Sequence, residues 1–313
     1  MEILITGGAG YIGSVMTEYL VSQGHDVDVL DNLSRGYRDA VAVNANFIEG
    51  DISDALNIFD EGKKFDGIIH LAAHSRVEES VQNPALYWKN NVIGTQRLLE
   101  FARIREIPRF VFASTAAVYG VSAASPITED TPPSPANTYG MTKLTMDMAI
   151  ESYAKAYGIT GTSLRFFNVS GTFRGRSERH LPETHLIPVA TARIQRNEAV
   201  TIFGSDYPTR DGTCVRDYIH VVDLARAAEL ALGRSTDGSY KVFNLGNGNG
   251  YSNLEVVKTI GDLLGVAPQI EFADRRSGDA PELVASSLRI TEELGWTPSI
   301  PALIEIVKSS LEA

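Results

Sequence analysis

Glu2-Ile3-Leu4-Ile5-Thr6 is a short apolar run of the length and composition of a strand buried on both faces. Asp26-Val27-Asp28-Val29-Leu30 has the same character, and further strands are predicted at 46–50, 66–70 and 109–113. Helical spacing fills the gaps, to about residue 23 after the first strand and then at 54–62 and 84–105. A longer helical pattern runs from Thr138 to about 157, and Thr160 to Phe167 reads as another strand. This strand–helix alternation predicts a doubly wound α/β domain with a parallel sheet, six or seven strands being used by about residue 170. From Gly171-Thr172-Phe173-Arg174-Gly175-Arg176-Ser177 onward the pattern shortens. Helices are predicted at 186–197, 222–233 and 252–264, strands at 200–203, 241–244 and 269–272, and helices again at the end. The expected division is a larger domain over 1–170 and a smaller α/β domain over 171–313, with interleaved boundaries.

The turn after the first strand adds chemistry to this pattern. Gly7, Gly10 and Gly13 form a G-x-x-G-x-x-G turn between strand and helix, where missing side chains let backbone and helix N-terminus approach a pyrophosphate. Asp31 ends the second strand, eighteen positions after Gly13, the place for an acid that accepts from adenosine ribose hydroxyls. The larger domain therefore reads as a Rossmann-type dinucleotide site that favours NAD over NADP, with Arg35 nearby as the residue that would favour the phosphorylated cofactor. Ligand groups in such a sheet gather at the carboxyl ends of the strands, which singles out Asp51-Ile52, Leu71-Ala72-Ala73 and Ser114-Thr115. Asp51 is equally suited to capping the helix that follows. Ala72 and Ala73 are small enough for close backbone approach to a ligand, and Asn90 or Asn91, unfavourable inside a helix, has a polar task.

Thr138-Tyr139-Gly140-Met141-Thr142-Lys143 opens the long helix, and residues four apart share a helix face. The Tyr139 hydroxyl and the Lys143 ammonium thus face one site, where a nearby cation favours the phenolate and draws the tyrosine toward the range of a working base. Thr115 supplies a hydroxyl that either shares a proton with a substrate across from Tyr139 or serves as an ordinary cap of the strand end. Arg216 and Arg276, on or beside loops of the smaller region, are placed to grip phosphates bidentately.

Bulk properties exclude several classes. With 28 basic and 39 acidic residues the net charge is −11, and no basic run gives an electrostatic footprint for nucleic acid. No apolar run approaches a membrane span, and a strand begins at residue 2 in place of a cleavable signal, so a cytoplasmic protein is expected. The single cysteine, Cys214, fits a reducing compartment. The six histidines show no metal-ligand spacing, and no metal is expected.

Assembled, these motifs resemble the extended short-chain dehydrogenase/reductases, and within them the sugar-nucleotide 4-epimerases, from Ile3 to about Pro298. The pieces that carry the resemblance begin with Thr6-Gly-Gly-Ala-Gly-Tyr-Ile-Gly13, Asp31-Asn-Leu-Ser34, Gly50-Asp-Ile52, Tyr139-Gly-Met-Thr-Lys143 and Phe166-Phe-Asn168. They continue with Ile202-Phe-Gly-Ser-Asp-Tyr-Pro-Thr209, Asp211 through Val221, Arg275-Arg-Ser-Gly-Asp279 and Glu293-Leu-Gly-Trp-Thr-Pro298, and the run from Ile202 to Val221 is epimerase-like. The resemblance implies NAD contacts from Tyr11, Ile12, Asp31, Asn32, Leu33, Ser34, Arg35, Gly36, Asp51, Ile52, Leu71, Ala72, Ala73, Asn90, Lys143 and Phe167. It implies a sugar nucleotide on Asn168, His185, Leu186, Phe203, Arg216, Tyr218, Arg276 and Asp279. Three positions depart from the family pattern. Thr115 stands where a serine is frequent, Ser75 where some members have lysine, and Leu283 where a bulkier residue, often tyrosine, limits the sugar.

The implied activity is NAD-dependent inversion of C4 of a UDP-sugar, UDP-galactose or UDP-glucose, through a 4-keto intermediate, with Tyr139, Lys143 and Thr115 catalytic. A UDP-N-acetylhexosamine or UDP-pentose substrate is the alternative that Leu283 leaves open. A sugar-nucleotide dehydratase or decarboxylase starts with the same oxidation, but Ala116-Ala117 occupies the place of the Asp-Glu pair usual in dehydratases. A non-catalytic NAD-sensing protein on the same fold would tend to lose the Tyr/Lys pair that this chain keeps. The two long helices, 84–105 and 136–157, suit the four-helix contact of a homodimer by the same resemblance.

Overall fold

In the computed structural model, strand β1 (Glu2–Thr6) is an interior strand of a seven-stranded sheet. Beside it run β2 (Asp26–Asp31) and β3 (Asn46–Glu49) on one side and β4 (Gly67–His70), β5 (Arg109–Thr115) and β6 (Thr160–Phe166) on the other. The registers Ile3↔Val27, Ile3↔Gly67, Leu30↔Ile48 and Ile69↔Val111 are all parallel. The chain therefore leaves β1 in both directions, and the reversal between β1 and β4 opens the crevice where doubly wound sheets bind ligands. The seventh strand, Tyr240–Leu245, edges the sheet beside β6 and arrives from late in the chain, beyond the segment expected to build it.

The structure describes residues 1–121, 125–276 and 278–312, so Ser122 to Ala124 of the irregular loop expected at 121–137, and Ser277 of the Arg275–Asp279 motif, lie outside the described residues. The chain forms two compact units. One comprises Met1–Gly120, Pro133–Arg165 and Leu224–Phe243; the other comprises Val121–Pro132, Phe166–Asp223 and Asn244–Ala313. This is an interleaved division and not a single cut near residue 170.

In the first unit, Phe59, Phe65, Phe101, Phe110 and Phe112 join Leu98, Met146 and Ile150 in one buried cluster under the sheet. Each such side chain taken from water contributes about 1.5–3 kcal/mol, so the sheet's helix-covered face is the main source of stability there. The helix expected at 54–62 is cut to Ala55–Ile58, because the Phe59 ring turns inward, 5.2 Å from Phe65 and 5.6 Å from Phe101, and Asp60 to Lys63 make a turn. The helix expected at 84–105 is also corrected. It consists of Pro84–Tyr87, a π-helical stretch at Trp88–Gly94 and Thr95–Ile104, preceded by a short helix Val77–Gln82. Such a widened turn redirects side chains, and it does so at the two asparagines.

The second unit is organised on the strand Val215–His220. It pairs in parallel with Asn168–Ser170 and Glu282–Leu283, through Asn168↔Tyr218 and Leu283↔Arg216, and antiparallel with Gly250–Ser252. A separate parallel pair joins Val200–Phe203 to Ile270–Ala273. Ile187, Ile194, Ile202, Tyr218, Val257 and Ile306 share its core.

Candidate active site

The glycine turn meets the carboxyl end of β4 so closely that a Cβ on Gly7 would lie 2.5 Å from the Ala72 nitrogen, and Gly7 itself has φ +76°. A Cβ on Gly13 would overlap the Gly7 carbonyl oxygen, so that glycine closes helix against strand. Gly10 is different. Its φ is −79° and a Cβ there would meet only the Gly7 oxygen at 3.4 Å, so neither backbone conformation nor packing within the chain calls for glycine. The same residue caps the helix Tyr11–Ser22, whose first turn has neither a side-chain cap nor an acidic residue. A helix N-terminus without a side-chain cap, fronted by a hollow that a Cβ would enter, fits the pyrophosphate of a dinucleotide.

Asp31 ends β2 beside that hollow. Its Oδ2 accepts from Ala9 N at 3.0 Å and its Oδ1 from Leu33 N at 2.9 Å, and burial holds its pKa above the ordinary carboxylate value. Leu33 is thereby kept at φ +55°, a conformation that costs a branched residue on the order of 1–3 kcal/mol. Gly36 is pressed onto Ala9, and Tyr37 N donates to the Ala9 carbonyl, so the segment Asn32–Gly36 folds back on the glycine turn with Ser34 exposed. Arg35 is paired with Glu79 at 2.6 Å, which engages the guanidinium that would otherwise favour a 2′-phosphate. Asp51 does cap the following turn, through Ser53 N at 2.9 Å, while its other oxygen takes Asn32 Nδ2 at 2.9 Å. Ile52 is buried and Leu71 to Ala73 are half-buried at the end of β4.

The π-helical turn separates the tasks of the two asparagines. Asn90 remains half-buried, its Nδ2 donating to Asn91 Oδ1 at 3.0 Å. Asn91, the other of the two asparagines singled out in sequence, is buried and clamps both backbone groups of His74, at 2.9 Å each, while reaching Thr142 Oγ1 at 3.3 Å. Thr142 in turn donates to the Tyr139 carbonyl at 2.8 Å. An asparagine in a helix was the available signal; which of the pair is structural depends on the widened turn.

Tyr139 sits in the first turn of the helix Thr138–Tyr157, which Asn137 caps through Gly140 N at 2.9 Å and Gly158 ends at φ +74°. Lys143, one turn on, is buried and donates to the Ala113 carbonyl at 2.6 Å, with its Nζ 4.6 Å from the Phe112 ring centre. The Tyr139 hydroxyl is hydrogen-bonded to Thr115, whose Oγ1 also accepts from Ala117 N at 3.1 Å. The strand-end cap and the partner of Tyr139 are thus one hydroxyl. The electrostatics correct the sequence expectation. Burial pushes the Tyr139 phenol up to about 12, with the Thr115 hydrogen bond only partly opposing it, and burial draws Lys143 down to about 7 against the pull of Asp147. Lys143 Nζ lies 6.0 Å from the Tyr139 ring centre, too far in this geometry for its charge to overcome the desolvation of the phenolate.

The second unit gathers most of the residues expected for the sugar nucleotide along Val215–His220. Arg216 is half-buried, its Nη1 donating to the Val215 and Ala280 carbonyls at 2.8 Å each and its Nη2 facing Asp279 at 3.5 Å. Leu283 is its strand neighbour. Tyr218, pushed up to about 12 by burial, is hydrogen-bonded to exposed Asn168, its partner in register. Exposed Arg276 stacks on Phe203 with its guanidinium 3.9 Å from the ring centre, whereas Arg275 is spent on Asp206 at 2.7 Å. Leu186 packs on the cluster containing Tyr218 and Ile202. Phe167 is buried, its N donating to Leu245 O at 3.0 Å.

Two features of this unit were not visible in the sequence. His185 is exposed at the start of the helix Leu186–Gln195 and hydrogen-bonded to Glu183 at 2.7 Å. Although the histidines lack metal-ligand spacing in sequence, a loop brings one ligand atom each of Glu178, His180 and His185 within 4.8 Å of one another. Asp217, also unremarked in the sequence reading, is buried and accepts from the N–H groups of Asn247, Gly248 and Ala285 at 2.8–3.0 Å, yet burial still raises it to about 6. It ties the Asn247–Gly248 turn and Ala285 to the strand that carries Arg216 and Tyr218.

Residues 3–246 match the family model described as the NAD dependent epimerase/dehydratase family. A curated UDP-glucose 4-epimerase of Corynebacterium glutamicum is 47% identical over 99% of this chain and 94% of its own length. The crystal structure of a UDP-glucose 4-epimerase from Brucella ovis in complex with NAD is 41% identical, with a TM-score of 0.94 over 99% of this chain and 97% of that one. That of a UDP-glucose 4-epimerase from Bifidobacterium longum in complex with NAD+ and UDP is 31% identical, with a TM-score of 0.90 over 99% and 97%. A glycine turn hollowed for a dinucleotide, a half-buried tyrosine one helical turn from a buried lysine with a threonine hydroxyl against it, and likeness along nearly the whole chain lead to one conclusion: the chain belongs to the NAD dependent epimerase/dehydratase family, among its UDP-glucose 4-epimerases.

Proposed function

We propose that the chain inverts C4 of a UDP-sugar, with UDP-galactose and UDP-glucose as its pair of substrates. The observation that carries this reading is the hydrogen-bonded Tyr139–Thr115 pair at the end of β5, with Lys143 one helical turn from Tyr139. Bound NAD supplies a hydride acceptor for C4, which later returns the hydride, and a positive charge in the site. Tyr139 as phenolate takes the proton of the 4-hydroxyl, becoming the phenol, and gives that proton back after the 4-keto sugar has presented its other face. Thr115 holds the 4-oxygen, and Lys143 lends its charge to the phenolate while that proton is away. Arg216 and Arg276 hold the diphosphate while the sugar turns, and Asn168, Tyr218, His185 and Phe203 bind the rest of the nucleotide. Burial favours the Tyr139 phenol, so the phenolate that accepts the 4-hydroxyl proton depends on the positive charges of Lys143 and of bound NAD, its own proton having passed to solvent before the sugar is oxidised. Ala116 and Ala117 provide no acid or base for elimination of water, which supports return of the hydride over dehydration.

The test is incubation of the purified protein with UDP-galactose in the absence of any added hydride acceptor, scoring UDP-glucose. Conversion by the intact chain and its loss in Tyr139→Phe, by about 10²–10⁴-fold, is expected; no conversion by the intact chain, or full activity of the variant, overturns the reading. UDP-N-acetylglucosamine run in parallel reads the room left by Leu283.

No helix among the described residues is long and apolar enough to cross a membrane, and Cys214 is free and buried, which supports a cytoplasmic setting. Exposed Trp88 and Ile93 on one long helical segment and Met141 and Met148 on another support a homodimer as part of this proposal. Light scattering at micromolar concentration should report twice the chain mass, and a monomer would remove this part of the proposal.

A further inference from the structure

The helix face that carries Tyr139 and Lys143 continues, at the same spacing, to Asp147. These three positions dock on three consecutive residues at the end of β5. Tyr139 bonds Thr115, Lys143 donates to the Ala113 carbonyl at 2.6 Å, and Asp147 Oδ2 accepts from Ser114 Oγ at 3.2 Å. Asp147 is fully enclosed in the protein, and the same Oδ2 accepts from Arg165 Nε at 3.2 Å and Nη2 at 3.0 Å. The other oxygen, Oδ1, is buried without a hydrogen-bond partner. A bare buried carboxylate oxygen is costly and calls for a reason.

The groups around Lys143 supply one. From its own helix it is faced by Tyr139, a neutral phenol, and by Asp147. From β5 come the Ala113 carbonyl and the Phe112 ring. From β4 comes His70, which is buried and kept neutral by that burial and by the charge of Lys143 itself. The His70 bonds are consistent with this. Thr95 spends its hydroxyl hydrogen on the Asn91 carbonyl at 2.7 Å, so His70 Nε2 donates to Thr95 at 2.8 Å, and Nδ1 remains to accept from Thr6 at 2.6 Å. Asp147 is in turn faced by Ser114 from β5, Arg165 and Ser163 from β6, and Tyr240 from the edge strand, with Tyr119 bonded to Arg165 at 2.8 Å. Among the described residues that face Lys143, Asp147 is the one anion. Arg165 favours the ionised carboxylate from behind through a two-nitrogen grip, opposing the burial that raises its pKa.

We propose that Asp147 is a positioning residue for the reaction, held by Arg165 and Ser114 so that its negative charge keeps the buried Lys143 an ammonium beside Tyr139. This role presupposes Tyr139 and Lys143 as the reacting pair. Without it, Lys143 and Arg165 would be two buried cations with no intervening charge, and the lysine would give up its proton first because the guanidinium does not. A cation that must stay protonated sets the alkaline limb of activity, so removing its anion moves that limb to lower pH.

The experiment measures UDP-galactose conversion by the NAD-loaded enzyme against pH, with kcat and KM separated, for the wild type, Asp147→Asn and Asp147→Glu. For Asp147→Asn the alkaline limb should fall by about one pH unit and kcat at pH 8 by about tenfold, with KM within about threefold; Asp147→Glu should restore most of both. A folded Asp147→Asn enzyme, judged by circular dichroism and retained NAD, whose limb does not move overturns the proposal, since a purely structural role lowers stability without shifting the limb. If Asp147→Asn does not fold, Asp147→Glu decides: a limb matching wild type sustains the proposal, and one displaced by a full unit overturns it. A dead Tyr139→Phe beside an unshifted Asp147→Asn condemns this inference alone, whereas a fully active Tyr139→Phe condemns the reacting pair itself.

Discussion

The first unit holds its functional groups inside the protein, and the second presents them on loops and strand edges. Lys143 is 3% exposed, Asp31 8% and Asp147 3%, and each is fixed by backbone or charged partners before any ligand arrives. Asn168, His185 and Arg276 are exposed, and Arg276 rests on the face of Phe203 and not on a carboxylate. The difference matches two physical tasks. A group whose protonation state matters gains from low dielectric and fixed dipoles, whereas a group that must admit and release a diphosphate gains from staying solvated until contact. The second unit nevertheless has one buried anchor, Asp217, so its exposed residues stand on a rigid strand.

Several substitutions break or sharpen this contrast. The largest effect belongs to Tyr139→Phe, at about 10²–10⁴-fold in turnover with NAD retained, because it removes the proton carrier and leaves the scaffold. Within the glycine turn, Gly13→Ala forces a Cβ onto the Gly7 carbonyl and should lower the melting temperature sharply. Gly10→Ala has room within the chain, so its fold should survive while NAD affinity falls by about 1–3 kcal/mol, as read by calorimetry on the cofactor-free protein. Equal damage from both alanines would mean that Gly10 is structural too and that the hollow is not a cofactor cradle. Smallest is Arg276→Ala, expected to raise KM for the UDP-sugar by about 10- to 100-fold with kcat nearly unchanged, the value of one charge-assisted phosphate contact. A fall in kcat without a change in KM would place Arg276 with the buried chemistry of the first unit.

The local patterns were readable because each is decided by neighbours in the chain. The β1 run, the glycines at 7, 10 and 13, the acid at 31 and the Tyr139–Lys143 spacing follow from strand, turn and helix periodicity, and the structure builds those elements within a residue or two. Distant partners were not readable. Phe59 ends its helix because Phe65 and Phe101 wait for it in the core, and Asn91 rather than Asn90 is buried because a π-helical turn rotates the pair. The seventh strand of the sheet comes from residues 240–245, since a parallel edge position constrains only which strand lies beside β6 and not how much chain intervenes.

The charge states show the same boundary. The amino-acid sequence by itself determined that a tyrosine and a lysine share a helix face behind a dinucleotide turn, because the helical repeat and the strand–turn–helix pattern are local. Only the tertiary structure decided that burial raises the Tyr139 phenol and lowers the Lys143 ammonium. It likewise decided that Asp147 and Arg165, eighteen positions apart, stand behind the pair. Proton affinity depends on burial and on charges brought in from other elements, and those are properties of the packed fold.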